Sequence, residues 1–111
     1  MNIQIFGKPK CFDTKKAERY FKERGVKFQA IDILQKGLSR GELNSVIASV
    51  GIDALASDKA PEYHLFKYLL PDAKPEKLLE CPGLYKTPIV RNGKSATVGH
   101  SPEVWNKWLA D

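Results

Sequence analysis

The hydrophobic positions fall into short runs whose period changes along the chain, and each period names an element. Ile3 and Ile5 alternate with Asn2 and Gln4 ahead of Phe6, a strand pattern, and Gly7-Lys8-Pro9-Lys10 breaks it into a loop. Ala17, Tyr20 and Phe21 then recur at helical spacing, with Lys15, Lys16, Glu18, Arg19, Lys22 and Glu23 on the other face and Gly25 as the stop. Val26, Phe28, Ile31 and Ile33 predict a second strand over residues 26–33, buried on both sides. Ser39-Arg40-Gly41-Glu42 has the form of a capping box, and Leu43, Val46, Ile47 and Val50 follow it on one helical face before Gly51. Short helical runs lie around residues 63–70 and 76–79, separated by Pro61, Pro71 and Pro75. Ile89-Val90, an Asn92-Gly93 turn and the return at 96–98 predict an antiparallel hairpin. Ser101-Pro102-Glu103 opens a last helix whose Val104, Trp105, Trp108 and Leu109 form an apolar stripe.

The resulting order is β-α-β, helices, β-β, α. It is the order of an α/β, thioredoxin-like domain: a four-stranded mixed sheet flanked by helices, with a right-handed crossover joining the first two strands. Its 111 residues suit a single domain over residues 1–111, with a helical insertion at about 34–85. The wholly apolar runs are a few residues long, against the roughly 20 that span a bilayer, so no membrane span is expected. No basic lead or apolar leader opens the sequence, and a cytoplasmic location is the expectation.

The charge is uneven. Of the formal net +5, residues 1–32 carry +4, and Lys8, Lys10, Lys15 and Lys16 all lie within five positions of Cys11. A solvated basic face is the plain explanation of such a cluster. Nucleic-acid binding is not expected, because no binding motif accompanies the charge and few aromatics interleave with it.

Two cysteines, Cys11 and Cys81, are too few for a disulfide framework, and their spacing does not fit a zinc site. Cys11 falls where the loop after the first strand enters the first helix, so free N–H groups and the positive end of the helix dipole point toward its sulfur. Lys10, Lys15 and Lys16 act in the same direction, and thiolate is the nucleophilic form. Cys81 precedes Pro82-Gly83 at a helix end. It is either an inert, partly buried thiol or a resolving cysteine that closes a disulfide with Cys11. His64 and His100 have no metal-ligand spacing and read as surface residues, so no metal is expected. Arg91 reads as a hairpin surface residue, and the tryptophans as core.

Gly7-Lys8-Pro9-Lys10-Cys11-Phe12-Asp13-Thr14-Lys15-Lys16-Ala17, Gly25-Val26-Lys27-Phe28, Lys86-Thr87-Pro88-Ile89-Val90 and Val98-Gly99-His100-Ser101-Pro102-Glu103, in this order, resemble the ArsC family. That family includes glutaredoxin-coupled arsenate reductases and Spx-type redox regulators. The resemblance implies a thioredoxin-like fold with a helical insertion and a single nucleophilic cysteine matching Cys11. It also implies a cis peptide before Pro88, so that Thr87 and Pro88 offer backbone hydrogen bonds to substrate beside the thiolate. The family's reductases bring arginines to the oxyanion from three places, which here hold Ser57-Asp58-Lys59, Thr87 and His100. Lys59 supplies only a point charge, and neither Thr nor His reproduces a guanidinium's two aligned bonds, which argues against efficient arsenate reduction. The regulators carry a Cys-x-x-Cys switch, whereas this chain has Thr14 three residues after Cys11.

The expectation is therefore a monothiol oxidoreductase with Cys11 as nucleophile. Lys10, Lys15, Lys16 and a hydrogen bond from Thr14 would stabilise the thiolate, and Lys59, Thr87, Pro88 and His100 would meet the substrate. No cofactor is expected to be bound; glutathione is a candidate co-substrate, and glutathione, a glutaredoxin or a thioredoxin a candidate partner of a monomer. The alternative is an Spx-type module that binds RNA polymerase without turnover.

Overall fold

In a computed structural model, which describes residues 1–110, the chain forms a four-stranded sheet between two helical layers. The strands are β1 (Ile3–Gly7), β2 (Phe28–Asp32), β3 (Ile89–Asn92) and β4 (Ser95–Val98), in the order β2-β1-β3-β4. β1 pairs parallel with β2, from Ile3 opposite Phe28 to Gly7 opposite Asp32, and antiparallel with β3; β3 pairs antiparallel with β4. The mixed, thioredoxin-like sheet expected from the element order is what forms.

Alternation along β1 decides which layer each side chain joins. Ile3 and Ile5 face helix α1 (Phe12–Glu23) and the last helix, α5 (Pro102–Ala110), in a core completed by Ala17, Tyr20, Phe21, Val90 and Trp105. Phe6 faces the opposite way, into a larger core with Ile33, Leu43, Val46, Leu78, Leu84, Tyr85 and Ile89. Trp105 is fully buried and its indole N–H donates to Thr97 Oγ1 at 2.9 Å, which pairs the one polar atom of the smaller core's largest side chain. The Tyr20 hydroxyl bonds to Asn106 on the same helix.

The larger core is covered by helix α2 (Arg40–Val50), with α3 (Tyr63–Phe66) and α4 (Lys74–Glu80) after it. The capping box at the start of α2 forms as expected: Ser39 Oγ accepts from the Glu42 N–H at 3.2 Å, and Glu42 Oε1 accepts from the Ser39 N–H at 2.8 Å. Two strips of backbone close the later part of this region. The Ser57 N–H donates to the Leu84 carbonyl at 2.8 Å, the Lys86 N–H donates to that of Leu55 at 2.7 Å, and Ala56 bridges Tyr85 between them.

Three details differ from expectation. β2 is an edge strand, with Gln29 and Ala30 exposed, and is not buried on both sides. Its apolar residues divide between layers, Val26 and Phe28 toward the smaller core and Ile31 toward the larger, so the run looks two-sided although its outer edge is open. The hairpin turn is Gly93-Lys94, because Asn92 remains in the ladder opposite both Ile3 and Ser95, and the left-handed position, φ 61°, falls on Gly93. Arg91 is no surface residue: its guanidinium spans Gln4 Oε1 at 2.6 Å and the Glu42 carboxylate at 3.6 Å, tying β3 to β1 and α2. Among the described residues, no helix is long and apolar enough to cross a membrane.

Candidate functional site

β1 ends at Gly7, and the loop Lys8-Pro9-Lys10 delivers Cys11 to the N-cap position of α1, with extended backbone at φ −88° and ψ 115°. Its carbonyl accepts the helical bond from the Lys15 N–H at 3.3 Å. An N-cap side chain lies beside the first unsatisfied N–H groups of the helix. Across the site, the Thr87–Pro88 peptide is cis, as the resemblance implied, and the Thr87 carbonyl accepts from Cys11 Sγ at 3.6 Å. Cys11 is half-buried, and both cysteines are free thiols.

Burial pushes the Cys11 thiol up, but the Thr14 hydroxyl, the Thr87 hydroxyl and the backbone N–H groups of Thr14 and Asp13 outweigh it, and the thiol lies below its ordinary value. Each of these donors favours the thiolate. Thr14 is only 6% exposed, and among the described residues its hydroxyl makes no hydrogen bond. The hydrogen bond at the sulfur is the one to the Thr87 carbonyl, from across the site.

The lysines are arranged differently from expectation. Lys15 and Lys16 are exposed, Lys16 lying 3.9 Å from the Asp13 carboxylate, and Lys10 is an exposed residue of the cavity rim. None of the three is among the groups that lower the thiol. The lysine coupled to Cys11 is Lys8. Burial pulls the Lys8 ammonium down, and charge interaction with Cys11 and Glu62 opposes that. Its Nζ donates to the carbonyls of Gly83 at 2.9 Å and Tyr85 at 2.7 Å, which holds the Cys11 loop against the end of the helical region. In sequence, Lys8 differs from its neighbours only by standing directly after the strand.

Cys11 and Thr87 open onto a cavity of about 720 Å³. Its walls carry charges of both signs: Lys8, Lys10, Lys59 and Lys86, with Asp13, Asp53 and Asp58. Lys59 is therefore at the site, brought there by the segment after α2. Pro88 is buried behind Thr87, its carbonyl accepting from the Gly99 N–H at 2.8 Å, and does not line the cavity. His100 is outside it too; the ring is exposed and sits edge-on to Trp105, 5.6 Å between centroids. The turn at Gly99 places the residue over α5 instead of over the thiol. Cys81 ends α4, packs against the larger core and is absent from the cavity walls. Tyr85 and Asp53, which the sequence did not single out, line the cavity because the Ala56–Tyr85 bridge places their segments side by side. Among the described residues, no three His, Cys, Asp or Glu side chains converge as a metal ion would require.

A glutaredoxin family profile matches residues 3–52, the part of the chain from β1 through α2. The global transcriptional regulator Spx 2 of Oceanobacillus iheyensis is 29% identical, over 98% of this chain and 84% of that protein. An arsenate reductase of Haemophilus influenzae is also 29% identical, over 93% of this chain and 95% of its own length. The solved structure of an arsenate reductase from Vibrio cholerae superposes with a TM-score of 0.83 and 25% identity, covering 96% of this chain and 97% of that one. The chain thus has a thioredoxin-like fold, is similar in sequence along its length to an Spx regulator and an arsenate reductase, and superposes on a solved arsenate reductase.

Proposed function

We propose that the protein is a monothiol thiol-disulfide oxidoreductase in which Cys11 is the nucleophile and small zwitterionic peptide thiols of the glutathione class are its co-substrates. One observation carries the reading: a cysteine at the N-cap of α1, hydrogen-bonded to the Thr87 carbonyl across the site, at the mouth of a cavity lined by both lysines and aspartates. Such walls suit a ligand that carries carboxylates and an ammonium together. In the first step the Cys11 thiolate attacks one sulfur of a substrate disulfide; a new S–S bond forms, the old one breaks, and the departing thiolate takes a proton from water. When the substrate is a glutathione mixed disulfide and the sulfur attacked is its glutathionyl sulfur, a glutathione thiolate then attacks that sulfur of the Cys11–glutathione disulfide, forming glutathione disulfide, breaking the bond to Cys11 and returning Cys11 to its thiolate. In the thiol form the Thr87 carbonyl accepts a hydrogen bond from the Cys11 S–H, and the Thr87 and Thr14 hydroxyls favour the anion.

The absence of arginine at Lys59, Thr87 and His100 argues that arsenate is a poor substrate, and His100 lies away from the thiol in any case. The test is site-resolved alkylation of Cys11 and Cys81 across pH, combined with reduction of a glutathione mixed disulfide by the wild type, Cys11→Ser and Cys81→Ser. Cys11 is expected to titrate below about 8.5 and Cys11→Ser to lose exchange while remaining folded. Exchange that persists in Cys11→Ser, or a Cys11 that titrates as an ordinary thiol, overturns the proposal.

The likeness to a transcriptional regulator over 98% of the chain favours a second reading, an interaction module for the transcription machinery. It predicts binding to RNA polymerase that survives Cys11→Ser.

A further inference from the structure

We propose that the turn at residues 57–60 is the specificity element of the cavity. Asp58 and Lys59, at its two central positions, take the ammonium and the carboxylate of an α-amino-acid head, the γ-glutamyl end of a glutathione-class disulfide. The inference rests on the reading of Cys11 as nucleophile toward such disulfides, and it names the wall that receives each end of the peptide.

Several charges on the cavity walls are already engaged by the protein. The Lys8 ammonium is bonded to two carbonyls, Asp53 Oδ1 accepts from the Lys74 ammonium at 2.7 Å, and Asp13 lies 3.9 Å from the Lys16 ammonium. Among the described residues, Asp58 is the wall carboxylate left without a cation, and the ammoniums of Lys10, Lys59 and Lys86 are left without an acceptor. A ligand that completes these walls carries one cationic group and more than one anionic group, as glutathione does.

The turn holds its two charges in place. The Ala60 N–H donates to the Ser57 carbonyl at 3.1 Å and the Lys59 N–H to Ser57 Oγ at 3.3 Å, which puts Asp58 and Lys59 at the centre of a β-turn. The turn is fastened to the thiol side of the molecule by the Ser57 N–H, which donates to the Leu84 carbonyl at 2.8 Å, and by the Ala56–Tyr85 bridge. Thr87, whose carbonyl meets the sulfur, follows two residues after Tyr85. Asp58 and Lys59 are both exposed, and no ion pair joins them. A carboxylate and an ammonium on neighbouring residues are the inverse of an amino-acid head, whose ammonium and carboxylate share one carbon. The glycyl carboxylate has no ammonium beside it and meets the cations Lys10 and Lys86 instead. A cavity of about 720 Å³ is of the size that takes such a tripeptide.

The first half-reaction tests this without turnover. The Cys11 thiolate attacks oxidised glutathione, an S–S bond forms to one glutathionyl sulfur, the old S–S bond breaks, and one glutathione departs as its thiolate. The rate of this modification is read at Cys11 by peptide mass spectrometry, with oxidised glutathione and with its N-acetylated form, in which both ammoniums have become amides. The wild type is expected to react about fivefold faster with oxidised glutathione, the upper range for a solvent-exposed ion pair. In Asp58→Asn that preference is expected to vanish, while Asp72→Asn, which removes an exposed carboxylate away from the cavity, is expected to keep it. A preference that is absent from the wild type, survives Asp58→Asn or is lost in Asp72→Asn overturns the proposal, because a packing role slows both disulfides alike and a net-charge effect does not distinguish the two aspartates. No reaction of Cys11 with either disulfide overturns the nucleophile reading, and the inference falls with it.

Discussion

Tyr85→Phe isolates one buried hydroxyl and makes two linked predictions. The Tyr85 side chain is 1% exposed within the larger core, and its hydroxyl has no hydrogen-bond partner among the described residues. Leaving a buried donor unpaired costs about 1–3 kcal/mol, and phenylalanine keeps the ring that fills the space, so the variant is expected to be more stable by about 1 kcal/mol at pH 7. The second prediction concerns alkaline pH. Burial raises the folded phenol far above its ordinary range, whereas the unfolded tyrosine titrates near 10. Between those values the folded chain keeps a proton that the unfolded chain releases. This part of the stability is therefore complete below about pH 9 and lost as pH rises beyond 10, by about 1.4 kcal/mol per pH unit. Phenylalanine has no proton to lose, so urea unfolding from pH 7 to 11 should show the gap between variant and wild type widening from about 1 to about 2.4 kcal/mol. Subtracting the two profiles cancels the lysines and the other tyrosines. Profiles that stay parallel, or a variant less stable than wild type by more than about 1 kcal/mol at pH 7, refute the desolvated, unpaired hydroxyl.

Three further variants have expected outcomes. Thr87→Val keeps the buried shape at the site and removes a donor to the sulfur, so Cys11 alkylation should shift upward by about one pH unit; an unchanged profile removes Thr87 from the thiolate's support. Since the folded thiol ionises below the unfolded one, its contribution to stability is present above about pH 8.5 and is lost as pH falls through the folded value; in urea titrations Thr87→Val should shrink that step. Ser39→Ala removes one side of the capping box of α2 and should cost about 1 kcal/mol in the same assay. Trp105→Phe leaves a void beside the sheet and the Thr97 hydroxyl without its donor, and a loss of about 2–3 kcal/mol is expected in thermal or urea unfolding.

The parts of the molecule legible in sequence are those decided by neighbours in the chain. Ser39 and Glu42 cap their own helix, and the apolar face of residues 43–50 records its contact with the sheet. Cys11 at the strand-to-helix junction was visible for the same reason: loop and helix start are both local. Which lysine has a charge interaction with Cys11 was not, because Lys8, Lys10, Lys15 and Lys16 look alike in the chain, and the Lys8 side chain is aimed by carbonyls at Gly83 and Tyr85 far along it. His100 followed from alignment to a motif, and the turn at Gly99 carried it to Trp105. The edge position of β2 is likewise a property of strand order, which alternation within one strand does not encode. Arg91 belongs to the same class, its partners Gln4 and Glu42 being on separate elements.

The Ala56–Tyr85 bridge and the two hydrogen bonds beside it give residues 58–83 the properties of a replaceable cassette. Its ends are clamped to each other, so the rest of the fold registers where the segment starts and stops, together with the buried Phe66 and Leu78 and the Gly83 carbonyl that holds Lys8. The entropy of closing such a loop rises only with the logarithm of its length, and doubling the segment would cost about 0.6 kcal/mol. Yet Asp58, Lys59 and Tyr63, which face the Cys11 cavity, all reside inside it. Substrate preference can therefore drift by insertion, deletion or recomposition here, while the sheet, the N-cap thiol and its two threonines stay as they are.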